Sequence, residues 1–201
     1  MTHRIPSPVA VALVLSLAAP MLSACAVVVG AGAGVGAVAV EERGIKGRAS
    51  DLAIEAKITD KFVQEKFSMI TSFSIEVYEG RVMLTGATTD TAAADRAVAL
   101  AWQVDGVTDV YNEIQYNAGT SFSDYSHDVV ITTQITTALT FDKEVLSVNY
   151  DIKTVNGTVY VMGIAQDQAE LDKVLAECAN TQYVRKVVHH VRIKQPTKAG
   201  A

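Results

Sequence analysis

The chain has 201 residues, a net charge of −5 and 49% hydrophobic residues. It is too apolar and too weakly charged to be disordered, and its length allows one or two domains. The acidic balance excludes a general nucleic-acid binder, which needs a basic face to neutralise phosphates. Two cysteines cannot staple a scaffold, and no Cys/His spacing forms a zinc site.

In chain order, residues 1–24 read as a secretory signal: Arg4 supplies a positive start, and residues 9–19 form an apolar run too short to span a bilayer. It ends in Leu22-Ser23-Ala24-Cys25. This arrangement resembles the lipobox of bacterial lipoproteins, which implies cleavage before Cys25 and acylation of that residue. With roughly 0.8 kcal/mol per buried methylene, several acyl chains anchor a protein almost permanently. Ala26 stands where an aspartate would imply retention at the inner membrane, so the resemblance implies outer-membrane sorting. Residues 25–50 read as a lipidated tether. Its stretch 26–40 holds only glycine, alanine and valine. Small residues suit close packing in or on a membrane, and equally suit a flexible tether. Fifteen residues fall short of the ~20 needed to cross. Glu41, Glu42, Arg43, Lys46 and Arg48 mark the exit into water.

The remainder is one unit written twice. A shift of 77 residues superposes Ile54 on Ile131, Ile58 on Ile135, Phe62 on Leu139, Gly80 on Gly157, Gly86 on Gly163 and Val110 on Val187 without a gap. Apolar positions and turn glycines are the ones a fold constrains, so this is duplication. Each unit opens with a helical apolar stripe: 54, 58 and 62, with Val63 and Phe67 alongside, and 131, 135 and 139 in the second copy. Alternating runs follow at 73–78 and 148–155. They turn at Glu79-Gly80 and at Asn156-Gly157, the strongest short-range hairpin signal, and return at 82–84 and 159–161. A second helix covers 90–104; its counterpart begins with a cap at Asp167-Gln168-Ala169-Glu170. Closing strands occupy 107–116 and 184–193. The expected fold is α+β: two tandem α-β-β-α-β units, each with two helices on one face of a three-stranded sheet. The boundaries are 51–116 and 125–195, with a linker at 117–124 and a tail at 196–201. Units of about 70 residues are marginal alone, so the copies gain from leaning on each other. The linker, with Gly119, Ser121 and Ser123, is short enough to keep them close and polar enough to let them move.

Gly80-Arg81-Val82-Met83-Leu84-Thr85-Gly86 and Gly157-Thr158-Val159-Tyr160-Val161-Met162-Gly163 share the pattern G-x-V-x-L/V-x-G. With the flanking helices, each resembles the BON domain. Two copies after a lipobox resemble the dual-BON outer-membrane lipoproteins (DolP/YraP type). The resemblance implies a non-catalytic, phospholipid-binding protein on the periplasmic face of the outer membrane that supports membrane integrity. It further implies that the first helix of the second domain, residues 128–139, contacts anionic phospholipid. This chain departs from the relatives at two points. Val130 replaces an aromatic wedge, and Gln134 and Thr137 stand where the relatives carry basic residues, each worth about 1 kcal/mol near an anionic surface. The candidate lipid-binding residues are Val129, Val130, Thr133, Gln134 and Thr137, with Arg185 and Lys186 from the last strand. An alternative is that this helix is only the lid of its sheet.

The first unit carries five basic and eleven acidic residues, whereas the second is nearly neutral. The second has a basic run of Arg185, Lys186, His189, His190, Arg192 and Lys194, readable as a headgroup-facing surface or as a solvated strand face. Adjacent strand residues point to opposite faces, so His189 and His190 cannot chelate together. Cys178 continues a helical apolar stripe and reads as a small buried hydrophobe. Trp102 suits a core or interdomain contact, with an anchor at a membrane interface as the alternative. His127 has no catalytic partner in the sequence, and the glycine heptads lie in strands, so they are not dinucleotide loops. No catalytic residue, metal site, cofactor or small-molecule substrate is expected. The expected partners are membrane phospholipid and, alternatively, an outer-membrane assembly protein for which the domains act as an adaptor. In that case only Cys25 touches the membrane.

Overall fold

In a computed structural model, which describes residues 41–116 and 118–195, both repeat units fold in the order read from the sequence. The first unit comprises α1 (Gly44–Glu65), a short α2 (Ser68–Ser72), β1 (Phe73–Tyr78), β2 (Arg81–Thr88), α3 (Thr91–Ala101) and β3 (Asp109–Tyr116). The second comprises α4 (Phe122–Phe141), a 3-10 turn (Ser147–Asn149), β4 (Tyr150–Val155), β5 (Thr158–Ala165), α5 (Gln168–Asn180) and β6 (Lys186–Ile193). Each sheet is centred on its second strand, which pairs antiparallel with the first and parallel with the third. Cys25, the glycine-rich stretch 26–40 and the tail 196–201 lie outside the described residues.

Period-2 alternation sends Phe73, Val77, Val82, Leu84 and Ile114 to the helix-covered face, where Ile54, Ile58 and Phe62 of α1 and Ala94, Ala97 and Leu100 of α3 close the core. The second unit repeats this with Val159 and Val161 under Ile131, Ile135 and Leu139 of α4 and Leu171, Val174 and Cys178 of α5. Asp90, Ser121 and Asp167 cap α3, α4 and α5 by accepting backbone N–H groups. Asp167 performs the role assigned to it above.

A pair of carboxylates that the sequence reading passed over fixes each hairpin to its helix. Asp51 of α1 accepts the N–H groups of Glu79 and Gly80, both at 2.9 Å. Its repeat equivalent Asp128 of α4 accepts those of Asn156 and Gly157, both at 2.7 Å. Glu79 and Asn156 sit at positive φ (53° and 49°), which aims the turn N–H groups at the carboxylate.

The opposite faces of the two sheets are not solvated: they pack on each other. Tyr78 and Met83 of the first sheet form one buried cluster with Tyr160, Met162 and Ile164 of the second, flanked by Tyr111, Val155 and Val188. Arg81 is fully buried in this layer, donating to the carbonyls of His190 (2.8 Å) and Gly163 (3.1 Å). Gln115 donates to the carbonyl of Val155 at 2.9 Å and accepts from the amide of Asn156 at 2.9 Å.

This packing corrects several expectations. The linker does not leave the domains free to move, because a buried sheet-to-sheet layer joins them and α4 already begins at Phe122. The tether does not run to residue 50, since α1 begins at Gly44 and Glu41 is buried. Nor does Arg43 mark an exit into water: it binds Asp51 (2.9 Å) and the carbonyl of Val77 (2.7 Å), lies over the Tyr78 ring and approaches Asp151 of the second unit. Val63 and Phe67 are exposed rather than part of the stripe, and Trp102 is 52% exposed, at the end of α3 rather than in a core or interdomain contact. Cys178 is fully buried, and burial pushes its thiol up to about 12.

Candidate functional site

The site residues inferred from sequence fall at two places in the second unit. Val129, Val130, Thr133, Gln134 and Thr137 are all exposed and share the outer arc of α4, opposite Ile131, Ile135 and Leu139. Thr132, at the margin of that arc, bonds the Thr154 hydroxyl at 2.8 Å and holds the helix to β4. Arg185 and Lys186 are exposed where β6 begins. The first turn of α4 and Arg185 border one cleft of about 280 Å³, in which His127 stacks on Tyr183 with ring centroids 4.4 Å apart.

The arc holds more than the sequence reading placed there. Because α4 starts six residues before the predicted 128, Phe122 (87% exposed) and Tyr125 (62%) precede Val129 along the same face, and Phe141 (81%) ends the helix. The signal was present: Phe122, Tyr125 and Val129 are spaced i, i+3, i+7. It was missed because Phe122 lay in what read as linker and Tyr125 lay ahead of the helix read from 128. Residues 125–141 hold one carboxylate, Asp128, and that is turned inward onto the β4–β5 hairpin. The outer face therefore carries no Asp, Glu, Lys or Arg between Asp124 and Asp142. Two exposed aromatic side chains, Phe122 and Tyr125, stand one to two turns before Val130.

Four of the six basic residues on and beside β6 have acidic partners. His190 bonds Glu113 at 2.7 Å and stacks on Tyr111 across the domain layer. Arg192 reaches Asp109 (3.4 Å), Lys194 reaches Glu42 (2.8 Å) and Arg185 reaches Asp124 (3.5 Å). His189 and His190 point to opposite faces, and no group of three or more His, Cys, Asp or Glu side chains suited to a metal occurs among the described residues. No helix among them is long and apolar enough to cross a membrane.

Comparison with known proteins agrees with this architecture. The BON domain model matches residues 50–118 and again 127–195. An uncharacterised protein of Anaplasma centrale, from the gshII 5′ region, is 36% identical over 145 residues, covering 72% of this chain and 95% of that protein. The outer membrane lipoprotein DolP of Haemophilus influenzae is 31% identical over 155 residues, covering 75% of this chain and 78% of DolP. The osmotically-inducible protein Y of Escherichia coli is 27% identical over 146 residues, covering 72% of this chain and 73% of that protein. Two hairpins braced by equivalent carboxylates, two glycine heptads in central strands and two family matches in register have one explanation: this chain belongs to the BON-domain family and carries two tandem BON domains.

Proposed function

We propose that the protein is a non-catalytic envelope lipoprotein, anchored through Cys25 at the periplasmic face of the outer membrane. Its second BON domain lies against phospholipid through the outer face of α4, and in this way it supports membrane integrity. The likeness to a relative named as an outer membrane lipoprotein supports the location. One observation carries the lipid contact. The duplication supplies an internal control, because α1 and α4 hold the same place in the same fold. At the positions where α1 has Arg48, Glu55, Lys57, Asp60 and Lys61, α4 has Tyr125, Thr132, Gln134, Thr137 and Ala138. The fold accepts five charges there, so their replacement in the second copy is not a folding requirement. An uncharged helix face with exposed Phe122, Tyr125, Val129 and Val130 suits shallow insertion at a lipid interface. Arg185, across a cleft from its first turn, and the exposed Lys186 that follows it are the cations offered to an anionic headgroup.

The acyl anchor confines the chain to one surface and raises the effective concentration of this second contact, so even a millimolar lipid affinity is occupied. Flotation of the chain from Glu41 onward, without its anchor, on vesicles of phosphatidylethanolamine and phosphatidylglycerol tests the reading. Binding that is lost in Phe122→Ala/Tyr125→Ala supports it. Absence of binding to any vesicle refutes it in favour of an adaptor for an envelope assembly protein.

A further inference from the structure

The two BON domains pack like the halves of a symmetric dimer. Both present the same sheet face to the layer between them, so the operation relating them is a rotation and not a translation. Reciprocal strands meet, β1 facing β5 and β2 facing β4, as a two-fold axis requires. In such an interface a residue touches its own repeat equivalent only on the axis. Two positions do so. Glu76 and Lys153, one repeat of 77 apart, approach to 3.1 Å. Glu113 and His190, also 77 apart, are bonded at 2.7 Å. Between them lie Met83 and Tyr160, a third equivalent pair, in the shared buried cluster. Glu76 pairs across its sheet with Met83, and Lys153 with Tyr160, so the axis crosses both sheets from the Glu76 edge to the Glu113 edge.

On a two-fold axis, identical domains set like against like. Two first domains would bring Glu76 to Glu76 and Glu113 to Glu113; two second domains would oppose Lys153 to Lys153 and His190 to His190. This chain instead has an acid from the first copy and a basic side chain from the second at both sites. We infer that these axis pairs determine partner choice: the sheet face of each BON domain accepts the opposite domain and rejects its own kind in a neighbouring chain. The partner that fits the surface is the complementary domain of this chain. Its unlike axis residues keep the anchored molecule a closed monomer on a crowded membrane surface, where self-pairing of faces would otherwise link chains together.

Charge-reversed forms of the intact chain test the inference. One chain carries E76K and E113K, the other K153E and H190E, so each alone has like or non-complementary residues at both axis sites. Closure is read as the distance between spin labels at Gln64→Cys and Ala176→Cys, and association by analytical ultracentrifugation. Like-charge juxtaposition is a strong barrier to wrong partners, so each chain alone should lose closure by at least about tenfold. Mixed in equal amounts, the two should form a 1:1 complex, since each supplies the domain the other lacks. A single chain carrying all four reversals should be a closed monomer, and it decides the matter alone if either parent fails to fold. Undisturbed closure in either parent, a mixture that stays monomeric, or an open fourfold variant would overturn the inference.

Discussion

The last glycine of each heptad sits where the chain can accept nothing larger, and this sets up a sharp test at Gly163. Its φ is +150°, in backbone space open essentially to glycine alone. A Cβ built there would fall well inside contact with the carbonyl oxygen of Asn149, in the 3-10 turn that starts β4. That oxygen belongs to backbone and cannot rotate away, so Gly163→Ala must push β5 from the turn or force the dihedral. Overpacking of this kind costs about 1–3 kcal/mol, and the backbone conformation about 1–3 kcal/mol more for a residue with a side chain. The carbonyl of Gly163 also accepts from Arg81, so displacement disturbs the interdomain layer as well. A total of about 3–5 kcal/mol corresponds to a Tm lower by roughly 6–20 °C for a protein of this size. Gly86→Ala, at φ +148° against the carbonyl of Ser72, should behave alike, whereas Gly119→Ala, with open space around it, should not. Thermal unfolding followed by circular dichroism measures all three. A Gly163→Ala chain melting within 2 °C of the unaltered chain would refute the reasoning.

Phe122→Ala should leave Tm unchanged, because the side chain is already in solvent, yet weaken vesicle binding roughly tenfold to a hundredfold, the worth of one phenylalanine taken from water; flotation and melting together check it. Since the outer face of α4 has no fixed charge, raising salt from 50 to 500 mM should change that binding less than threefold, and a steep decline would move the contact to Arg185 and Lys186. Burial holds the Glu76 carboxyl up to about 7, against an ordinary 4.5, despite Lys153 beside it. The folded state thus binds that proton more tightly than the unfolded one. The resulting stability is complete below about 4.5 and lost as pH rises through about 7, a change of about 3 kcal/mol. In Glu76→Gln this part of the pH dependence should vanish, which denaturant titrations at pH 5 and pH 8 will show. Cys178, buried and with its thiol pushed up to about 12, should resist maleimide at pH 8 until the chain is denatured, as mass spectrometry can establish.

The parts legible in sequence were those written in local period and in the repeat. Ile54, Ile58 and Phe62 and their equivalents are spaced for one helix face, and Asn156-Gly157 announces a hairpin whatever surrounds it. The domain layer was harder because it depends on which surfaces meet. A signal existed nonetheless: residues 82–84 and 159–162 are apolar without interruption, as expected of a strand covered on both faces, whereas a half-solvated strand alternates. Arg81 masked it, since an arginine in a strand reads as exposed, and only the facing carbonyls of Gly163 and His190 make its burial tolerable. Trp102 misled in the opposite direction. A large aromatic suggests a core, but one at a helix end has nothing above it to pack against.

The domain layer also bears on where the chain can work. With the sheet faces consumed by each other, what remains for outside partners is the two helix layers, one on each side of the double sheet. Docking α4 on a membrane therefore turns α1 and α3 away from it. That division accounts for the divergence of the two copies in charge: the first, net acidic unit would be repelled by an anionic leaflet, and the geometry keeps its helices at a distance from one. Under the proposed docking, only the second unit needs an uncharged first helix. On this view the unlike residues at the axis and the uncharged arc of α4 express a single asymmetry. A duplicated domain became useful as a pair once its copies stopped being interchangeable, with one face fitted to its sister and another left open to an outside partner.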